Sequence, residues 1–348
     1  MNYRTLGRTD LNVSTLCLGS MTWGSRNSEA EGHAQIDHAL DQGINFIDTA
    51  EMYPANPGPD DHFGDTEAVI GSWFAKTGRR NDVILASKIS GEGSKRGTAE
   101  GAPITSKTIR PALDASLKRL QTDRIDLYQL HWPNRGSYHF RRYWHYDPTG
   151  RAPEQTKQHI VDVLGELQRQ IEAGKIRHIG LSNETAWGTA QFIRASEDHG
   201  LPRVATIQNE YSLMCRIFDT DLAELCCNED VDLLAYSPLA GGILSGKYEG
   251  DVTPAHSRRS VNDDIGGRIT PNMWPAHDAY LALAREHDLD PSQMAVAFCL
   301  TRPFMGSVIF GATTMDQLKA TVASSDVTLS DEVMEAIAAI NRRHPMPI

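Results

Sequence analysis

One pattern repeated eight times predicts a (β/α)8 TIM barrel: a short apolar run that reads as a buried strand, a polar loop, then a stretch with helical periodicity. The strands fall near residues 15–19, 44–48, 82–87, 125–130, 176–181, 204–208, 232–236 and 306–310. The helices fall near 30–42, 65–77, 105–121, 156–173, 185–199, 219–228, 292–301 and 315–325. Such barrels use a length of 348 residues as one domain, and no Pro- or Ser-rich linker divides the chain, so 1–348 reads as a single domain. An open doubly wound sheet is the competing architecture. It would carry Gly-x-Gly-x-x-Gly after its first strand, and Thr15-Leu-Cys-Leu-Gly19 is followed by no such motif.

Ahead of the first repeat, Tyr3-Arg-Thr-Leu and Asn12-Val-Ser read as a small hairpin with Gly7 and Asp10 in its turn. Helix starts are marked by Thr105 before Ile109, Leu113, Leu117 and Leu120, by Thr314 before Met315 and Leu318, and by Ser330 before a last helix through Ala339. The segments 134–153 and 239–290 are long for barrel connections and read as lids over the C-terminal face. Gly91-Glu-Gly93-Ser-Lys-Arg-Gly97 invites a phosphate-loop reading, but its spacing is wrong and no helical period follows, so it reads as a flexible loop at the mouth.

A net charge of -11 argues against a nucleic acid or an anionic membrane as partner, because both require a positive footprint. Within 134–153, Tyr138, Phe140, Tyr143, Trp144 and Tyr146 alternate with Arg135, Arg141 and Arg142, a pattern able to stack on single-stranded bases. In an acidic chain, and at this place, a lid or a subunit contact is the better reading. Cysteines 17, 215, 226, 227 and 299 form no Cys-x-x-Cys pair and no even framework, which suggests reduced thiols and no metal site. No secretory leader and no apolar run of ~18 residues is visible, so a cytoplasmic protein is expected.

The chemistry is written at the strand ends. Ile44, Phe46 and Ile47 run into Asp48, with Tyr53 five residues on; Val83-Ile-Leu-Ala-Ser ends in Lys88; Ile125-Asp-Leu-Tyr-Gln-Leu ends in His131. Singly, an Asp after a strand is commonly a cap and a Tyr commonly a packed aromatic. Three apolar runs ending in ionisable groups form a set. A carboxylate would hold the ammonium of Lys88 charged, the ammonium would lower the pKa of a phenol beside it, and an imidazole would orient a carbonyl oxygen. That set suits general-acid reduction of a carbonyl. The competing use of Lys88 is a Schiff base in an aldolase-like barrel.

In order and context, Asp48-Thr-Ala-Glu-Met-Tyr53, Ser87-Lys88 and Leu130-His131-Trp-Pro133 resemble the Asp, Tyr, Lys and His tetrad of the aldo-keto reductases. The resemblance runs from Tyr3 to Arg342 and is greatest to the bacterial Tas-type branch, related to the potassium-channel beta subunits. It implies a hairpin closing the barrel bottom, catalytic Asp48, Tyr53, Lys88 and His131, and NADP(H) across the barrel top as donor to a small aldehyde or ketone. Ser182, Asn183 and Gln208 match residues that hold the carboxamide, and amide side chains suit that group. By its own position Asn183 could equally cap the next helix. Tyr236 matches the ring beneath the nicotinamide. Ser237, Leu239, Gly241 and Lys247 match the pyrophosphate segment, Arg258 the 2'-phosphate contact, and Gly311, Thr313 and Gln317 the adenosine end. Ala320-Thr321 departs from a polar pair common in relatives. Trp23 and Trp132 would wall an apolar substrate pocket. The channel relatives imply a second role, a slow-turning redox-sensing subunit, although an inactivating tail ahead of the hairpin is not seen.

Overall fold

The computed structural model describes residues 1–55, 63–149 and 152–348. Strands β1 (Tyr3–Thr5) and β2 (Asn12–Ser14) pair antiparallel. The next eight close a barrel: β3 (Leu16–Gly19), β4 (Phe46–Asp48), β5 (Ile84–Ile89), β6 (Ile125–Leu130), β7 (Ile176–Ser182), β8 (Val204–Glu210), β9 (Asp232–Tyr236) and β10 (Met305–Phe310), which returns to β3. Every neighbouring pair in it is parallel. Helices α1 (Glu29–Asp41), α2 (Asp65–Thr77), α3 (Ile109–Leu120), α4 (Pro153–Glu172), α5 (Ala186–His199), α6 (Asp221–Glu229), α7 (Met273–Glu286), α8 (Pro291–Leu300), α9 (Met315–Val322) and α10 (Asp331–Arg343) complete the fold.

The period of two along each strand separates two cores. Cys17, Phe46, Ala86, Leu127, Leu234 and Ile309 pack inside the barrel, and Leu6, Leu11 and Val13 from the hairpin region join them as a plug. The alternate residues, among them Leu16, Leu18, Ile47, Leu85, Tyr128 and Ile207, pack outward on the helices in a second, larger core. Two residues beyond Phe46, Ala86 and Leu127 stand Asp48, Lys88 and Gln129, so the same inward face that is apolar at the bottom becomes polar at the C-terminal end. That change of character locates the site.

Helix boundaries follow the capping signals, with two departures. Ser28 makes a reciprocal capping box with Glu31, and Thr314 and Ser330 each accept a backbone N–H of the first turn. Thr105 instead forms a turn with Thr108, and α3 begins only at Ile109. Helix α7 lies within 239–290, where the sequence had suggested only a lid. Its buried Met273, Ala276, His277, Tyr280, Leu281 and Ala284 keep a helical period, and Pro275 sits in the first turn, where proline is tolerated.

Candidate active site

Four of the inward residues form one hydrogen-bonded group. Lys88, fully buried, donates from Nζ to Asp48 Oδ2 at 2.6 Å and to the Thr49 carbonyl at 2.7 Å. The other carboxylate oxygen, Oδ1, accepts from Gln208 Nε2 at 2.8 Å and from Gln129 Nε2 at 3.2 Å, while Gln208 Nε2 also donates to Gln129 Oε1 at 3.1 Å. Asp48 is thereby fixed in rotation, with both carboxylate oxygens engaged. Tyr53, on the loop after β4, lies with its ring centre 4.9 Å from Lys88 Nζ and 5.9 Å from the His131 ring, edge to face. The four residues expected as a tetrad are therefore brought together, at the C-terminal ends of β4, β5 and β6.

The electrostatics sharpen their roles. Burial alone would depress the Lys88 ammonium, yet Asp48 and Tyr53 hold it above the ordinary lysine value. Burial pushes the Tyr53 phenol above its ordinary pKa, with Lys88 pulling it back and Asp48 adding to the rise. The sequence had suggested a lowered phenol; here desolvation outweighs the ammonium, and Tyr53 keeps its proton. Burial, with Lys88 adding, holds His131 well below the usual histidine value, so its imidazole is neutral at physiological pH. Its Nδ1 has no partner among the described residues.

Around this group the expected cofactor residues fall into three sets. In the first, Asn183 Nδ2 donates to the His131 carbonyl at 3.0 Å and to Ser182 Oγ at 3.1 Å, and its Oδ1 accepts from Tyr236 OH at 2.8 Å. Ser182 Oγ donates to the Gln208 carbonyl at 2.9 Å. Asn183 does not cap α5; Thr185 does, and Asn183 adopts a left-handed φ of 52°. The second set is the turn after β9, where Ser237 and Gly241 are left-handed and Leu239 is partly buried. Lys247 folds back against Gly242, where a Cβ would stand 2.6 Å from Nζ, and the φ of 99° at Gly242 is one that glycine adopts freely. Burial lowers the pKa of Lys247, with Arg258 and Arg26 adding. Burial, with Arg268 and Arg26, pushes Arg258 down to about 10. Neither Lys247 nor Arg258 meets a carboxylate among the described residues. Crowded cations that meet no carboxylate among the described residues fit a polyphosphate ligand. In the third set, Thr313 donates from N and Oγ1 to Gln317 Oε1 at 3.0 and 3.1 Å beside the exposed Gly311. Thr321 is buried and donates to the Gln317 carbonyl, whereas Ala320 is exposed.

The two tryptophans part company. Trp23 is fully buried, its Nε1 donating to Gln35 at 3.0 Å and its ring packed on Gly32, so it belongs to the core and walls no pocket. Trp132 stands at the mouth, 4.9 Å from the His131 ring and 6.2 Å from Phe140, and donates to the Glu92 carbonyl at 3.0 Å. Its indole occupies the place where a Cβ on Gly91 would be, which accounts for that glycine without a phosphate. The segment 91–97 is tied down, with the buried Glu51 accepting from Ser90 N at 2.7 Å and from Thr98 N at 3.1 Å. Gly150 and Arg151 of the 134–153 loop lie outside the described residues.

Sequence reasoning missed Gln129, Glu210 and Arg268. Gln129 is a polar residue inside an apolar strand, two positions before His131, and that was a usable signal. Glu210 and Arg268 pair with each other from 58 positions apart, which no local pattern encodes. A cavity of about 300 Å³ lies between β6, β7, α4 and α5, lined by Leu130, Leu181, His159 and Phe192; Trp132 and Ser182 also border it, and Asp48, Tyr53, Lys88 and His131 do not. Among the described residues there is no cluster of His, Cys, Asp or Glu able to hold a metal, and no helix long and apolar enough to cross a membrane.

A sequence profile described as the Aldo/keto reductase family matches residues 15–342. The chain is 46% identical to Protein tas of Escherichia coli (strain K12), over 100% of this chain and 99% of that one. It is 32% identical to the uncharacterized oxidoreductase YrpG of Bacillus subtilis, covering 97% and 95%. With the probable voltage-gated potassium channel subunit beta of Arabidopsis thaliana it shares 27% identity over 99% and 98%. The barrel, the buried Asp48–Lys88 pair beside Tyr53 and His131, and these full-length similarities agree: the chain belongs to the aldo/keto reductase family.

Proposed function

We propose that the protein reduces small aldehydes or ketones to alcohols with NADPH. The observation that carries this is the Tyr53 phenol ring 4.9 Å from the buried Lys88 Nζ, which Asp48 holds at 2.6 Å. When bound, a nicotinamide would supply the hydride. Tyr53 gives its proton to the carbonyl oxygen as charge develops there, and Lys88 stabilises the phenolate left behind. Neutral His131 orients the same oxygen through a ring nitrogen. Asn183 and Gln208 would hold the carboxamide, Tyr236 would lie beneath the ring, and Ser237, Leu239, Gly241 and Lys247 would meet the pyrophosphate, with Gly311, Thr313 and Gln317 at the adenosine end. Gln208 spends both Nε2 hydrogens on Asp48 and Gln129, so it would present Oε1. Trp132 and Phe140 would form the substrate wall. Five free cysteines suit a reducing compartment, and we place the protein in the cytoplasm.

The channel-subunit relative favours a second reading, a nucleotide-binding redox sensor with slow turnover. A panel of small carbonyls separates the two. Steady NADPH consumption on any of them supports the reductase; tight NADPH binding with no consumption on all of them supports the sensor.

Nucleotide choice gives a sharper expectation. The 2'-phosphate carries up to two negative charges, and a chain of net charge -11 would repel it unless a local cation answers. Arg258 is that cation, since its neighbour Arg259 is already bound to Asp251 at 2.5 Å. Losing a charge-assisted bond costs roughly 1.5–3 kcal/mol, about one to two decades in dissociation constant. Arg258→Ala should weaken NADPH by that factor and NADH far less, and Lys247→Ala should weaken both alike. Equal losses on Arg258→Ala, read by fluorescence titration, would move the 2'-phosphate contact elsewhere.

A further inference from the structure

Two long connections cover the mouth, the one after β6 and the one after β9, and both are fastened to a single carboxylate. Glu210, the last residue of β8, is nearly buried. Its Oε2 accepts from Arg141 Nη1 at 2.6 Å, and its Oε1 accepts from Arg268 Nε at 2.8 Å. Burial would raise the Glu210 pKa, but Arg268 and Arg141 hold it below the ordinary value, so the carboxylate is ionised. Arg268 also donates to the Ile265 carbonyl at 2.8 Å and reaches Ser237 Oγ at 3.4 Å. The two connections also lie close together: a Cβ added at Gly267 would come into van der Waals contact with Arg141, 3.5 Å from Cδ.

The substrate side of this contact is held in an uncommon conformation. Phe140 and Arg141 both have left-handed φ, 58° and 63°, which non-glycine residues seldom adopt without compensation. The Arg141 side chain is held there by Glu210. Phe140 leads to Trp132, and Arg268 adjoins the segment that carries Ser237 and Arg258.

We propose that Glu210 and Arg141 are positioning residues for the nucleotide, making the substrate-side loop part of the cofactor's enclosure so that release requires the Arg141–Glu210 contact to open. This rests on the nucleotide reading above. Arg141 acts through Glu210 and Arg268 on the strap that holds Ser237 and Arg258.

The test is Arg141→Met, which keeps length and loses charge on a loop outside the barrel core. NADPH release should quicken about ten-fold or more in stopped-flow fluorescence, the scale of one lost charge-assisted bond. Backbone hydrogen exchange over 258–268 in the nucleotide-free protein should quicken with it. Arg141→Lys, which keeps the charge, should restore much of the slow release. Parental release rates in Arg141→Met would overturn the proposal, and so would faster exchange without faster release. A parent protein that does not bind NADPH at all is a different result, and it sinks the nucleotide reading itself.

Discussion

Tyr53→Phe should lower carbonyl reduction by about 10²–10⁴-fold, the range ascribed to a general acid, while NADPH binding stays near the parental value. The ring remains to pack against His131 and Lys88, and only the transferable proton is lost. The pH dependence should agree. A group whose pKa is raised by burial keeps its proton through neutral pH and loses it only above the ordinary phenol range of ~10, so the reductive rate should stay level until then. Because His131 is held neutral, no inflection should appear at its ordinary value near 6.5. Steady-state rates of parent and variant across pH check both. Near-parental activity in Tyr53→Phe would remove the phenol from the mechanism.

Lys88→Met should be costly in two separable ways. Reduction should fall by a comparable factor, because the phenolate loses its counter-charge and the Tyr53 pKa, already high, rises further. Stability should fall by roughly 3–5 kcal/mol, because Asp48 is left as an unpaired buried carboxylate. Lys88→Met with Asp48→Asn removes that charge, so the double variant should recover much of the denaturant midpoint and none of the activity. If the double variant were no more stable than Lys88→Met, the loss would lie in packing rather than in charge. Activity in Lys88→Met equal to the parent's would contradict the relay.

The strand ends were legible in the sequence because the barrel turns a period of two into a place: each strand's inward face continues upward from Phe46 to Asp48 and from Ala86 to Lys88. The net direction of the Tyr53 pKa was not legible, since it is a balance between a neighbouring charge and the depth of burial. Trp23 was misplaced for a related reason. Its position after β3 suggests the mouth, but α1 and α2 enclose it, with Gly32 leaving room for the ring. Helix α7 was readable from the period of Met273, Ala276, His277 and Tyr280, and was obscured by the polar stretch before it. Gln129 and Gln208 were readable as polar residues in strands, while their common hold on one oxygen of Asp48 belongs to the closed barrel alone.

The most direct measurement of the central claim follows a label. Enzyme in excess over NADPH deuterated at nicotinamide C4 is mixed with an aromatic aldehyde for one turnover, and the alcohol is analysed by mass spectrometry and NMR. Direct transfer at one face predicts a single deuterium on the former carbonyl carbon, in one stereochemical sense for one labelled epimer of the cofactor and absent for the other. Nucleotide that binds in full and yields no labelled alcohol with any carbonyl of the panel would contradict the reductase account and leave the sensor in its place.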